Sequence, residues 1–473
     1  MRLYSIIPLF LLFALCVNAQ SNPLVVNDSI AQQNWVDAKY NSMTLDEKLG
    51  QLFMVCVASN QDKAGTDKVR ALIKEHHIGG VIFSTGGPLR QAKLTNSFQA
   101  ASKIPLMVGM DAEWGLAMRL DSTYAFPWNM TLGAIKDNSI VEKVGNQIGV
   151  HAKRLGVHIN FAPDIDINTN PLNPIIGNRS FGEDRENVAN KGIAFMKGME
   201  SAGILSSGKH FPGHGDTATD SHYALPLIDF SKKRLDSLEL YPYKKLIEAG
   251  LSSVMVAHLN VPSLEIKKEL PSSLSEQIIS GILKDRMGFK GLVFTDALNM
   301  KGVTNHGKDG DVELAAFLAG NDMLLMPTEV AAAKEKLLKA YNRGRITEKR
   351  LSNSVKKILL AKFKVGLNNY KPIKINNLYA DLNSVQSDLV HEEAIENALT
   401  VVKNKFYLMG IKKLENKKIA YVKFGDDNSI PFIKELNKYA KVTQVNGKDI
   451  ATIKTKLKEF NLVIIGHHKN NES

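Results

Sequence analysis

The chain has 473 residues and a formal net charge of +12, with 44% hydrophobic and 23% charged residues, a globular composition able to bury a sizeable core. Its two cysteines, Cys16 and Cys56, exclude a disulfide framework and a thiolate metal cluster. The positive charge is dispersed, as at Lys412, Lys413, Lys417 and Lys418, without an RNA- or DNA-binding motif, so a nucleic-acid partner is not expected.

At the N-terminus Arg2 precedes an apolar run over 6–17, and Val17-Asn18-Ala19 supplies small residues at cleavage positions. This pattern predicts a secretory signal peptide over residues 1–19, cut before Gln20, and an exported chain, periplasmic or secreted. Leu15 stands where a lipoprotein signal carries a small residue before Cys16, so lipid attachment is not expected. No later run is long enough to span a bilayer.

Eight short apolar runs follow: LGQLFMVCV (49–57), IGGVIFST (78–85), IPLMVGMD (104–111), VHINFAPDID (157–166), ILSSGKH (204–210), LSSVMVAHLN (251–260), GLVFTDALNM (291–300) and NDMLLMP (321–327). Near-continuous apolarity fits strands buried on both faces of a parallel sheet, and helical patterns such as 187–202 and 275–287 lie between them. The alternation predicts an α/β architecture, a (β/α)8 barrel of the TIM type, over residues 36–365. Cys56, inside the first run, is expected as a small buried hydrophobe. Residues 366–389 read as a linker rich in Asn, Lys and Pro at its start. Over 390–473 a helix (390–399) precedes a βαβαβ pattern that predicts the start of a second parallel-sheet domain. No GxGxxG follows its first strand, so a dinucleotide site is not indicated. Three strands are few for an independent core, and a further C-terminal domain missing from this chain is expected.

The polar residues then fall into register. Asp111, Asp164, Lys209, His210, His258 and Asp296 all end their apolar runs, and in a barrel those ends form one rim, where active sites are built. The richest stretch is KHFPGHGDTATDSH (209–222), whose Asp220-Ser221-His222 end sets a carboxylate two residues from an imidazole that it can orient.

KHFPGHG with DSH, NRSFGED (178–184) and FTDALNM (294–300) together resemble the family-3 glycoside hydrolases, within them the β-N-acetylhexosaminidase branch acting on cell-wall sugars. The resemblance runs over about residues 40–330. It implies a retaining hydrolase without metal or organic cofactor, whose partner is a carbohydrate ending in GlcNAc. Asp296 would be the nucleophile, His222 the acid/base and Asp220 its orienting partner. Asp111, Arg179, Lys209 and His210 would clamp the sugar, and His258 would stand in the pocket. Each residue also has a plainer reading. Asp296 could cap a helix, Arg179 could pair with Glu183 or Asp184, and His258 could be a satisfied core histidine. His214 and Asp216 are expected to shape the glycine loop, with Gly213 and Gly215 as hinges. DAEWG (111–115) departs from the Gln, Glu and glycines of the branch, and Trp114 either stacks on a sugar or packs under the rim. A β-glucosidase or β-xylosidase of the same fold, a GlcNAc phosphorylase and a catalytically silent glycan-binding protein are the alternatives. The phosphorylase stays open because an imidazole, unlike a carboxylate, does not repel an incoming anion.

Overall fold

The computed structural model describes residues 22–217, 225–308, 310–425 and 428–468; the expected leader over 1–19 lies outside them. The chain forms two compact units that divide between Leu399 and Thr400.

The first unit is built on eight parallel strands: β1 (Phe53–Ala58), β2 (Gly80–Thr85), β3 (Met107–Met110), β4 (Ile159–Asn160), β5 (Leu205–Phe211), β6 (Ser253–Val256), β7 (Leu292–Thr295) and β8 (Leu324–Leu325). They follow chain order around the sheet, with β8 beside β1. A parallel bridge between Phe294 and Met323 joins β7 to the start of β8 and completes the ring. Each expected run contributes one strand, and all the strands but β5, which is as long as its run, are shorter than the runs. In the first run, Leu49 and Gly50 belong instead to the helix Leu45–Gly50, which Thr44 and Glu47 start with a reciprocal capping box.

Helices follow the strands and cover the barrel, among them Lys63–His76, Asn138–Arg154 and Arg185–Ser201, started by the carboxylates of Asp62, Asp137 and Asp184. Inside the ring Phe161, directly after β4, and Phe294 on β7 meet edge to face, ring centroids 5.1 Å apart. Gly109 on β3 allows this filling, because a Cβ there would come within 2.8 Å of the Phe161 ring.

Two expectations are corrected. Cys56 is exposed rather than buried, because toward the end of β1 only alternate residues point inward. The helix expected to open the second domain spans Val385–Ala398 and belongs to the first unit, where its Asp388 carboxylate accepts a hydrogen bond from Tyr124 at 2.9 Å. In the second unit β9 (Ile419–Phe424), β10 (Val442–Gln444) and β11 (Leu462–His467) form a parallel sheet with β9 central. Its small core gathers Ala420, Val422 and Val445. Among the described residues no helix is long and apolar enough to cross a membrane.

Candidate active site

The carboxyl ends of four strands supply the site. β3 delivers Asp111 and the loop carrying Glu113 and Arg119, and β5 ends in Lys209, His210 and Phe211. Beyond β4 the chain stays extended through Asp164 and Asp166, held to β5 by a bridge between Asp164 and Lys209. Asp296 directly follows β7, and its N–H donates to the Val256 carbonyl at 2.8 Å. Arg179 comes from the loop after β4, where the Asn129 side chain donates to its carbonyl at 2.6 Å. A cavity of about 450 Å3 is lined by Asp111, Arg179, Lys209, His210 and Asp296 together with Arg119, His214 and apolar side chains. A larger cavity, about 820 Å3, is lined by Lys153, Arg154 and residues of 365–377 and holds none of these strand-end groups. Convergence of chemistry, not size, identifies the site.

Its charges form a closed network. Lys209 Nζ lies 2.8 Å from both Asp111 Oδ1 and Glu113 Oε1. Arg179 forks onto Glu113, with Nη2 at 2.7 Å from Oε1 and Nε at 3.0 Å from Oε2. Arg119 Nη2 reaches Asp111 Oδ2 at 2.7 Å. Burial pushes the Glu113 carboxyl up, but the charges of Arg179 and Lys209 outweigh it and hold it well below the usual carboxylate range. At Asp111 burial is likewise outweighed by Lys209 and Arg119.

Beneath this network Asp166 accepts from the His210 N–H at 3.2 Å and the His214 N–H at 2.6 Å, and its Oδ2 lies 2.7 Å from His210 Nδ1. His210 Nε2 lies 3.2 Å from Arg179 Nη2, which can only donate, so Nε2 carries the lone pair and Nδ1 the proton. That neutral tautomer agrees with burial pulling the imidazole down to about 4. Asp164 accepts from the Asp166 N–H at 3.0 Å through Oδ1, while its buried Oδ2 has no hydrogen-bond partner. Burial, and then the charge of Asp166, raise Asp164 to about 8, and burial raises Asp166 as well, against the opposing pull of His214 and Arg179. Ligand atoms of Asp164, Asp166 and His210 lie within 4.8 Å of one another, close enough for a cation. A cation there would have to displace the His210–Asp166 hydrogen bond against the Arg179 guanidinium, 3.6 Å from Asp164 Oδ2.

Asp296 is no helix cap: its Oδ1 accepts from the Ala297 N–H at 2.8 Å, and the next helix, Lys301–Thr304, starts at Met300. Burial raises its pKa, but His258, His210, the Ala297 N–H and Lys209 outweigh that and hold it below the ordinary value. Arg179 pairs with Glu113 and Asp164, not with Glu183 or Asp184. His258, expected in the pocket, does not line it. The ring is fully buried, with Nδ1 at 2.6 Å from Ser273 Oγ and Nε2 at 3.0 Å from the Ala297 carbonyl, which braces the backbone beside Asp296. Asp220 and His222 lie outside the described residues.

His214, expected only to shape its loop, faces the cavity with a buried Nε2 that has no hydrogen-bond partner, while its Nδ1 meets Thr217 Oγ1 at 2.8 Å. The glycines beside it have packing reasons: Gly213 has φ of +132°, and a Cβ on Gly215 would fall 1.9 Å from the Ile167 carbonyl oxygen. Glu113, Arg119 and Asp166 were also missed from sequence. For Glu113 and Asp166 a signal existed, since each stands two residues beyond a strand-end aspartate, and on extended backbone such pairs share a face.

Residues 44–361 match the family model described as the N-terminal domain of glycosyl hydrolase family 3. The protein named beta-hexosaminidase A of Pseudoalteromonas piscicida is 34% identical over 326 residues, which cover 62% of this chain and 54% of that relative. The chain thus spans about half the length of this curated relative. A family 3 beta-N-acetylglucosaminidase from Paenibacillus sp. str. FPU-7 superposes with a TM-score of 0.75 at 31% identity, over 90% of this chain and 85% of that one. A structure titled beta-glucoside phosphorylase BglX bound to 2FGlc superposes with a TM-score of 0.81 at 26% identity, over 95% and 84%.

Proposed function

The chain belongs to glycosyl hydrolase family 3, and from that membership we propose that it is an exported, exo-acting and retaining β-N-acetylglucosaminidase. It removes terminal β-linked GlcNAc from peptidoglycan-derived or related glycans. The observation that carries this reading is the single cavity in which Asp296, held ionised, faces Asp111, Arg179, Lys209 and His210. Lys209 and Arg179 donate to sugar hydroxyls, whereas Asp111 accepts from them. Such a set grips one terminal pyranose and orients its anomeric carbon toward Asp296.

In the first step an Asp296 carboxylate oxygen attacks the anomeric carbon, the glycosidic bond breaks, and the leaving oxygen takes a proton from the His222 imidazolium. In the second step His222 accepts a proton from water, whose oxygen attacks the anomeric carbon and releases Asp296. Asp220 orients the imidazole. The roles of Asp220 and His222 rest on the DSH motif, and export rests on the leader pattern over 1–19.

The test is product release from matched aryl β-GlcNAc and aryl β-glucoside by the chain 20–473 and its Asp296→Asn form. Preference for GlcNAc is expected, falling by about 10³-fold or more in the variant. Glucoside preference would move the reading to a β-glucosidase, and unchanged turnover in Asp296→Asn would remove the nucleophile assignment. Phosphorolysis is the second reading, favoured by the likeness to the BglX phosphorylase. Formation of the sugar 1-phosphate in phosphate buffer, in place of free sugar, would establish it.

A further inference from the structure

The larger cavity, about 820 Å3, lies at the other end of the barrel from Asp296. Val157 and His158 on its wall precede β4, and Gly203 precedes β5, so it opens where these strands begin. Its outer wall is the segment 370–377, which side chains of the barrel pin in place. Asn96 Nδ2 donates to the Ile373 carbonyl at 3.0 Å, and its Oδ1 accepts from the Ile373 N–H at 2.8 Å. Arg154 donates to the Lys374 and Asn376 carbonyls at 2.7 and 2.9 Å and pairs with Asp381 at 2.7 Å. Gly156 makes room for Ile373, whose Cδ1 would lie 2.6 Å from a Cβ there. The wall is therefore preformed.

Two features of the lining point to a ligand. His158 is 9% exposed, and its Nδ1 accepts from the Val108 N–H at 3.0 Å. The proton therefore sits on Nε2, which has no hydrogen-bond partner among the described residues and leaves the cavity a donor. Burial, and then the charge of Lys362, pull this imidazole down to about 3, so it donates as a neutral group. Charge comes from its neighbours in the lining. Lys153, Lys371 and Lys374 make no ion pair among the described residues, and the one carboxylate in the lining, Asp381, is taken by Arg154. A buried donor and three unopposed ammonium groups call for an acceptor that carries negative charge. A bare oxyanion would fill only a small part of the cavity. Tyr370 and Pro372 add apolar faces, and Asn376 and Asn377 add amides, a lining that suits a sugar ring. We infer that this cavity binds an oxyanion on a sugar-sized body, a phosphate or carboxylate oxygen accepting from His158 Nε2 while Lys153, Lys371 and Lys374 supply the counter-charge. The site is separate from the one that carries the proposed reaction and does not depend on that reading.

The test is calorimetric titration of the chain 20–473 with glucose 6-phosphate and with glucuronate, with glucose as the uncharged control. Saturable binding of at least one anion is expected, about 10-fold or more tighter than glucose and weakened by added salt. Lys153, Lys371 and Lys374 are all exposed. The combined variant Lys153→Gln, Lys371→Gln, Lys374→Gln is expected to lose about 10-fold or more in anion affinity and to keep the melting temperature of the free protein. Tighter binding of glucose 6-phosphate would make the group a phosphate, and tighter binding of glucuronate a carboxylate; either supports the site. Hydrogen exchange locates it independently, and should the variant fail to fold it decides alone. Slower exchange over 365–377 with the anion, and not with glucose, is expected. No saturable binding of either anion, undiminished affinity in the variant, or protection confined to the strand ends around Asp296 would overturn the site.

Discussion

Glu113 holds two cations at once, and that makes it the side chain on which the sugar clamp depends. It is 1% exposed, and Lys209, 2% exposed, and Arg179 both converge on it. Replacing it by Gln keeps the shape but leaves two buried cations short of a counter-charge, and turns an amide donor toward a guanidinium that can only donate. Glu113→Gln is therefore expected to cost about 3 kcal/mol in urea unfolding and to raise KM more than it lowers kcat. A variant of wild-type stability and KM would show that Asp111 orders Lys209, and Asp164 orders Arg179, without Glu113. Arg179 itself shows why sequence adjacency misleads here. Glu183 and Asp184 are its neighbours in the chain, but Glu183 is exposed and Asp184 is committed to its own helix.

At the scale of the element, the NRSFGED motif is one connected device. Arg179 enters the site, Ser180 Oγ donates to the Gly182 carbonyl at 3.0 Å, and Asp184 Oδ1 accepts from the Asn187 N–H at 2.7 Å to start the helix Arg185–Ser201. The motif thus reaches the cavity at one end and anchors a barrel helix at the other. Asp184→Ala is expected to lower global stability by about 1 kcal/mol, the usual loss for an N-cap, and to leave KM for aryl β-GlcNAc unchanged. A large rise in KM without loss of stability would mean that the cap reports on Arg179 and not on the helix. The DAEWG loop is the contrasting case. It carries Glu113 into the charge network, while Trp114, where the branch has a glycine, goes into the stack with Trp128.

For the molecule as a whole, the buried Asp164 writes a pH dependence into stability. Folded, it keeps its proton up to about 8, against an ordinary value of 3.8. Between those values the folded state binds more protons than the unfolded one. The stability it contributes is therefore full below about pH 4, falls as pH rises, and is gone above about pH 8. Asp164→Asn is neutral at every pH and can keep the Oδ1 hydrogen bond to the Asp166 N–H. Its melting temperature relative to wild type is expected to rise between about pH 4 and pH 8 and then to level off. A difference that is flat across that range would mean that Asp164 is ionised in the fold.

The sequence by itself determined the barrel, because strands buried on both faces must read as unbroken apolar runs, and each of the runs yielded one strand. It also marked Asp111, Lys209, His210 and Asp296, since polar residues that end such runs gather at the rim, although the same rule put His258 in the cavity, where it does not stand. Arg179 was legible through its motif, and Glu113 and Asp166 only as residues two beyond an aspartate. What the tertiary structure decided were the pairings: Glu113 with Lys209 and Arg179, His210 with Asp166, Trp114 with Trp128, and His258 with Ser273 behind Asp296. The unit boundary at Leu399, beyond the helix Val385–Ala398, was likewise decided there. The reason is physical. Burial on both faces leaves its mark residue by residue along a strand, whereas a contact between loops from different strands depends on how the ring closes and leaves no local pattern.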